Sequence, residues 1–224
     1  ATVAIIKHNN ACGMACASHL STAWDGALSA DPVSAFGGVI ACNQVVDLDT
    51  ATKMNDLFFE VILAPSYDAD ALKMLKSKKN RIILESKPVA WPNYVVRSTL
   101  NGVLLQARDH HRDSQEDLSV ATQRAPSAQE VDDLLFASAL CKHTKSNTIV
   151  FAKDRQLISS GTGQTSRVDA LKQAIQKAES FGISLKGAVM ASDAFFPFPD
   201  CVELAYQVGI QAVIQPGGSI KDHL

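Results

Sequence analysis

Apolar positions along the chain follow two rhythms: short unbroken runs suited to buried strands, and spacings of three and four suited to helices with one buried side. Val3-Ala4-Ile5-Ile6 is the first run and predicts a buried strand. A loop through Gly13 is expected next, then a helix whose inward side carries Leu20, Ala23, Trp24, Ala27 and Leu28. Asp31-Pro32-Val33-Ser34-Ala35-Phe36-Gly37-Gly38 breaks the rhythm, because proline ends helices and paired glycines permit unusual backbone geometry. Val39-Ile40-Ala41 resumes as a strand. A helix capped by Asp49 or Thr50 should run to about Phe58, and Glu60 introduces a strand at Val61-Ile62-Leu63 that ends by Pro65. Residues 68–78 read as a helix and 81–84 as a strand.

The texture then changes. Apolar runs on both sides of Asn101-Gly102 predict a β-hairpin. Residues 108–126 are polar and read as a surface linker; within them His110-His111 lacks any matching ligand set. Ser127 and Glu130 form a capping box for a helix ending near Lys142-His143. Strands are expected at 148–152 and 157–159 around a turn at Asp154-Arg155, a helix at 168–179, a strand at 189–191, a helix at 201–208 and a strand at 212–215. The order resembles that of the first half. It predicts an α/β protein made of a duplicated unit, each with a sheet covered by helices, divided as residues 1–107, a linker 108–126, and 127–224. By this alignment Lys7-His8 matches Lys142-His143, Ser34-Ala35-Phe36 matches Ser192-Asp193-Ala194-Phe195, and Leu63-Ala64-Pro65 matches Ile214-Gln215-Pro216. Both ends look abrupt, the first inside a strand and Gly217 to Leu224 at the start of a helix, so a fragment of a longer polypeptide is expected.

Composition narrows the function. A formal charge of −2 and a pI near 6.3 argue against a general nucleic-acid-binding surface. No apolar run approaches the roughly 20 residues that span a bilayer, and the expected location is the cytoplasm. The five cysteines contain no C-x-x-C pair, which predicts free thiols. Cys12 and Cys16, four apart and near His8, would share a face of a helix and suggest a metal site, but Gly13 weakens that helix and no metal is predicted.

Candidate chemistry begins at Lys7-His8. Imidazole titrates near neutrality, and a neighbouring ammonium favours its neutral, proton-accepting form, so a strand-end Lys-His is a plausible acid/base pair. Asn147 could orient an amide or carbonyl, or simply occupy a turn. Gly161-Thr162-Gly163 before a helix could bind an anion or serve as a tight turn. Phe195-Phe196-Pro197-Phe198 places three aromatics in one loop, at least one of them a core residue, and could form a slot for a flat heterocycle beside Asp193 or Asp200.

Taken together, Ile6-Lys7-His8, Asp31 to Gly38, Glu60 to Pro65, Lys142-His143-Thr144-Lys145-Ser146-Asn147, Gly161 to Arg167, Ser192 to Phe198 and Pro216-Gly217-Gly218-Ser219 resemble the AICAR transformylase domain of the bifunctional purine-biosynthesis enzyme family. The resemblance implies two cytidine-deaminase-like subdomains without zinc. It implies transfer of a formyl group from 10-formyl-tetrahydrofolate, a co-substrate, to the 5-amino group of aminoimidazole carboxamide ribonucleotide (AICAR). His8 would move the proton, Lys7 would tune it and stabilise the oxyanion, and Asn147 would orient the reacting group. Phe36, Gly37, Glu60, Ser166, Arg167, Phe195, Pro197 and Asp200 fall at the family's substrate or folate positions. A homodimer with shared active sites is implied, with neither nucleic acid nor membrane as partner. Pro199 stands where the family usually has Arg, and the family's upstream Arg-Tyr-Gly motif and C-terminal Arg/His segment have no match. Those departures motivate an alternative, a non-catalytic nucleotide- or folate-binding remnant. A zinc-dependent deaminase on the related fold would need a His/Cys ligand set that the sequence lacks.

Overall fold

The computed structural model describes residues 1–222, and its order of elements repeats. The first round runs β1 (Thr2–Lys7), β2 (Asn10–Cys16), α1 (Leu20–Ala30), β3 (Gly38–Cys42), α2 (Leu48–Asn55) and β4 (Phe59–Ala64), extended by α3 (Ala69–Leu75) and β5 (Ile82–Glu85). A hairpin, β6 (Tyr94–Thr99) and β7 (Gly102–Ala107), follows. The second round opens on α4 (Ala128–Lys142) and runs β8 (Ile149–Lys153), β9 (Gln156–Gly161), α5 (Arg167–Ser180), β10 (Val189–Ser192), α6 (Asp200–Gln207) and β11 (Ala212–Ile214). His223 and Leu224, the last residues of the C-terminal helix start expected from sequence, lie outside the described residues.

Nine strands form one mixed sheet in the order β11-β10-β8-β9-β2-β1-β3-β4-β5. Outward from the β2–β9 junction both sides repeat the same scheme, two antiparallel pairings and then a parallel one. Because β2 and β9 are themselves antiparallel, each strand of one half points opposite to its counterpart in the other. The halves are related by a pseudo-twofold axis perpendicular to the sheet, which is the duplication expected from sequence.

This symmetry corrects two of the motif matches. Lys7 ends β1, and its counterpart is Lys153 at the end of β8; Lys142 is the last residue of a helix and His143 its C-cap. Ser34-Ala35-Phe36 precedes β3, whereas Ser192-Asp193-Ala194-Phe195 runs out of β10. Only Leu63-Ala64-Pro65 and Ile214-Gln215-Pro216 are true counterparts, at the ends of β4 and β11.

Residues 10–16 form a strand rather than a loop, and Gly13 shows why a glycine belongs there. A Cβ at Gly13 would lie 2.0 Å from the Ala27 carbonyl oxygen, so its absence lets α1 pack directly on β2. The strand also removes the helical premise for a Cys12–Cys16 metal pair. Cys12 is buried with its Sγ 3.4 Å from the Ile5 carbonyl, and burial pushes its thiol up to about 11; Cys16 Sγ meets Thr2 Oγ1 at 3.3 Å. Among the described residues no three His, Cys, Asp or Glu side chains are grouped to hold a metal. The hairpin turn also sits one residue earlier than expected: Thr99 pairs with Gly102, leaving Leu100-Asn101 as the loop.

Alternation along each strand sends side chains to opposite faces. On one face Val3, Ile5, Ile40 and Ile62 pack against α1, α2 and α3, and Ile149, Phe151 and Met190 pack against α5 and α6. On the other, Val150, Ala152, Val189 and Ala191 are covered by α4. The first half has no described helix on that second face. Val39, Leu63, Ile82 and Leu84 stand there in neighbouring registers, between 36% and 53% exposed. The halves are further joined where buried Asp31, after α1, meets Lys177 of α5 at 2.6 Å. The polar segment expected as a linker lies over α4: Lys142 contacts Asp109 at 3.0 Å, Ser138 bonds Asp113, and Arg124 makes a fork to Glu130 at 2.7 and 2.8 Å.

Candidate active site

Strand directions gather the chemically unusual loops at one edge of the sheet. β1, β9, β10 and β11 end there, while β2, β3, β4 and β8 begin there, as the pairing senses require. Lys7-His8, Phe36-Gly37, Glu60, Asn147, the segment 161–167 and the loop after Ser192 therefore share an edge although they are far apart in sequence.

His8 and Asn9 are the central residues of the two-residue β1–β2 turn, with φ of 50° and 66°. A tight hairpin of this kind needs positive φ at both positions, and His and Asn are among the residues that tolerate it. The turn thrusts His8 into solvent, and its ring makes no hydrogen bond among the described residues. Lys7 donates to the Phe36 carbonyl. Gly37, at φ 69°, leaves room for that ammonium, since a Cβ there would lie 3.3 Å from Lys7 Nζ. Phe36 and Phe58 pack as tilted rings with centroids 5.0 Å apart, a largely exposed aromatic wall beside Lys7.

The second half reaches this corner through Asn10, whose Oδ1 accepts from Lys145 N at 3.3 Å. Asn147 follows two residues later, across a cis Ser146–Asn147 peptide. Its backbone exchanges two 3.2 Å bonds with Gln164, and its Nδ2 donates to the Gln164 carbonyl at 3.0 Å. Asn147 Oδ1 lies 3.5 Å from Ser146 Oγ, which donates to it. Gly163, at φ 67°, donates to the Lys145 carbonyl at 2.9 Å. The N–H groups of Gly163 and Gln164 thus clasp the Asn147 segment, which favours the tight-turn reading of this loop. Ser166 is the N-cap of α5, accepting from Asp169 N at 3.1 Å and donating to Asp169 Oδ2 at 2.7 Å.

Arg167 and Asp193 form a nearly buried pair at 3.3 Å. Arg167 Nε also reaches Ser192 Oγ at 3.1 Å and the Ala194 carbonyl at 3.3 Å. In the aromatic loop Phe196 is core, 4% exposed, while Phe195 and Phe198 are open to solvent. Pro197 is exposed between them, and exposed Asp200 opens α6, its Oδ1 accepting from Cys201 N at 2.8 Å. Phe196 N donates to Gln215 Oε1 at 2.6 Å, tying the loop to the end of β11. A cavity of about 530 Å³, within the usual range for small-ligand sites, opens beside this corner between Ser146, Asp193 and Gln215 on one side and Lys142 and Asp113 on the other. Cys141 also lines it, and burial pushes that thiol well above its usual range.

The edge therefore unites Lys7, His8, Phe36, Gly37 and, through Asn10, Asn147. Glu60, exposed as the second residue of β4, shares the edge without a recorded bond to them. Phe58, Asn10 and Gln164 were not singled out as parts of the corner. Phe58 had a signal in the Phe58-Phe59-Glu60 run, whereas Asp193, expected beside a slot for a flat heterocycle, pairs with Arg167.

The model of the AICARFT/IMPCHase bienzyme family matches residues 1–177. The chain belongs to that family. It is 60% identical to the bifunctional purine biosynthesis protein PurH of Bacteroides thetaiotaomicron over 223 residues, covering 100% of this chain and 44% of that protein. It is 50% identical to PurH of Chlorobium phaeobacteroides strain BS1 over 98% of this chain and 42% of the relative, and 50% identical to PurH of Aquifex aeolicus over 98% and 43%. The chain spans less than half the length of the curated PurH proteins it matches. The family match includes Lys7, His8, Asn147 and Arg167; the loop 195–200 lies beyond it but within the region shared with the PurH relatives.

Proposed function

We propose that this chain carries the formyl-transfer site of an AICAR transformylase: the 5-amino nitrogen of AICAR attacks the formyl carbon of 10-formyl-tetrahydrofolate. A C–N bond forms as the carbonyl becomes a tetrahedral oxyanion, the amine loses its proton, and the bond to folate N10 breaks with N10 taking up a proton. The products are formyl-AICAR and tetrahydrofolate. The amine is a poor nucleophile because its lone pair is delocalised into the ring and carboxamide, so proton removal must accompany attack. His8 is the proton carrier, exposed at its turn, with no competing bond to its ring among the described residues. Lys7 spends one N–H on Phe36 and keeps two for the oxyanion. Asn147, its Nδ2 held by the Gln164 carbonyl, orients the reacting group through its Oδ1, whose one other contact among the described residues is the long 3.5 Å bond from Ser146 Oγ.

Phe36, Gly37 and Glu60 form one wall of the substrate site, and Ser166, Arg167, Phe195, Pro197 and Asp200 the other. Residues 1–107 and 127–224 are the two units that meet at this edge, with 108–126 between them, and a cytoplasmic homodimer completes each site from both chains. The remnant reading is not favoured: a chain that covers 44% of its relative says nothing about motifs expected outside it, which leaves Pro199 as that reading's one motivation.

The observation that carries the proposal is the convergence of Lys7-His8 and Asn147 at one sheet edge in a chain 60% identical to a PurH protein. The test is tetrahydrofolate release by the complete gene product supplied with AICAR and 10-formyl-tetrahydrofolate. His8→Ala should lower kcat by about 10²–10⁴-fold, the usual worth of a general base; full turnover would refute the assignment.

A further inference from the structure

Asp193 occupies a position that neither the proposed chemistry nor the substrate contacts require. Its side chain is 14% exposed, and each carboxylate oxygen is engaged. Oδ1 accepts from Thr148 N at 3.1 Å and from Arg167 Nη2 at 3.3 Å, and Oδ2 accepts from Ser146 Oγ. Ser146 and Thr148 are the two neighbours of Asn147, so one carboxylate brackets it from both sides. Two contacts reach the Asn147 amide itself: the Gln164 carbonyl accepts from Nδ2 at 3.0 Å, and Ser146 Oγ, held by Asp193, lies 3.5 Å from Oδ1.

We propose that Asp193 is a positioning residue for Asn147: by bonding Ser146 and Thr148 it fixes the segment that presents the Asn147 amide to the substrate, while Arg167 balances its charge. The proposal rests on the formyltransferase reading above. A carboxylate is suited to the task because it only accepts, and all three neighbours only need to donate. Arg167, held also by Ser192 and Ala194, is then chiefly the counter-charge that makes an almost buried carboxylate affordable. Loss of the bracket would leave Thr148 N without an acceptor and let the Asn147 amide rotate, and small misplacements at a reacting centre cost about 10²-fold.

The test uses the complete gene product and compares Asp193→Ala, Asp193→Asn, Asn147→Ala and the double variant Asp193→Ala/Asn147→Ala. Asp193→Ala should lower kcat about 10²-fold with KM for both substrates within about two-fold, and Asp193→Asn should lose less, because its remaining oxygen still accepts from Thr148. In the Asn147→Ala background, removing Asp193 should cost little more, since a residue acting through Asn147 has nothing left to position. Losses that multiply in the double variant, or a rise in KM with kcat unchanged, would overturn the proposal. Hydrogen exchange at Thr148 N provides a readout independent of turnover: Asp193→Ala should accelerate it while exchange in α4 stays unchanged. Unchanged protection at Thr148 would refute the bracket even in an active enzyme, and faster exchange in a protein without transferase activity would sink the formyltransferase reading alone.

Discussion

The contact between Asp31 and Lys177 should be the main polar tie between the two halves. Asp31 is 2% exposed, and its carboxylate accepts from Ser34 N at 2.8 Å and from Lys177 at 2.6 Å. Burial alone would raise its pKa, but the hydrogen bonds from Lys177 and Ser34 outweigh burial and hold it below the ordinary carboxylate range. Asp31→Asn keeps an acceptor for Ser34 and loses the charge facing Lys177. Removing one member of a fully buried ion pair costs about 3–5 kcal/mol. Lys177 is 30% exposed and can rehydrate, so about 2 kcal/mol is expected instead. At roughly 2–4 °C per kcal/mol for a chain of this size, the melting temperature should fall by about 4–8 °C. A double-mutant cycle with Lys177→Met should show coupling of about 1–2 kcal/mol. The pH dependence has a definite sign. A carboxyl whose folded pKa lies below its unfolded value of about 3.9 stabilises the fold above that pH and loses the contribution as pH falls through the folded pKa. The gap between native protein and Asp31→Asn should therefore be full at pH 7 and close below about pH 4. Urea titrations at several pH values would measure it, and a gap under about 0.5 kcal/mol at pH 7 or zero coupling would refute the reasoning.

Two further outcomes follow from close packing and from turn geometry. Gly161→Ala would put a Cβ 1.8 Å from the Ala170 carbonyl oxygen, forcing α5 off β9; a loss of about 3 kcal/mol is expected from thermal unfolding. Asp133 accepts from Asp154 N at 3.0 Å and Arg155 N at 2.6 Å, holding a turn whose two central residues both have φ of 53°, so Asp133→Ala should cost about 2 kcal/mol by urea titration, with protease sensitivity appearing first at that turn.

The helices were the most legible part of the sequence. Ser127 and Glu130 form the capping box that their spacing announced, and Leu20, Ala23, Trp24 and Ala27 face the core as their periodicity required. β2 was not legible, because Asn10-Ala11-Cys12-Gly13-Met14-Ala15-Cys16 has few strand-forming residues and is a strand only through its neighbours β1 and β9. The helix capped by Asp47 also ends at Asn55, leaving Phe58 free to join the aromatic wall. At the candidate site, Lys7, His8 and Asn147 were singled out through the family resemblance of the ordered motifs, and they lie at one edge of the sheet. The clasp by Gln164 and the bracket by Asp193 were not, since both join residues 17 and 45 or more positions apart through backbone groups that carry no sequence signature. Matching Lys7-His8 to Lys142-His143 failed for a related reason: like dipeptides need not occupy like places in a repeated fold.

The perpendicular pseudo-twofold gives the molecule a second, equivalent sheet edge, where Lys153 occupies the place that Lys7 holds at the first. That edge is shut: Asp133 stoppers its hairpin, and Lys153 donates to the Lys186 carbonyl at 3.1 Å. The same arrangement of strands thus stands at both ends, open at the candidate site and closed at the other. Because every strand that ends at the open corner has a counterpart that begins there, none of its residues faces its own duplicate. Each half could specialise there without having to preserve a twin.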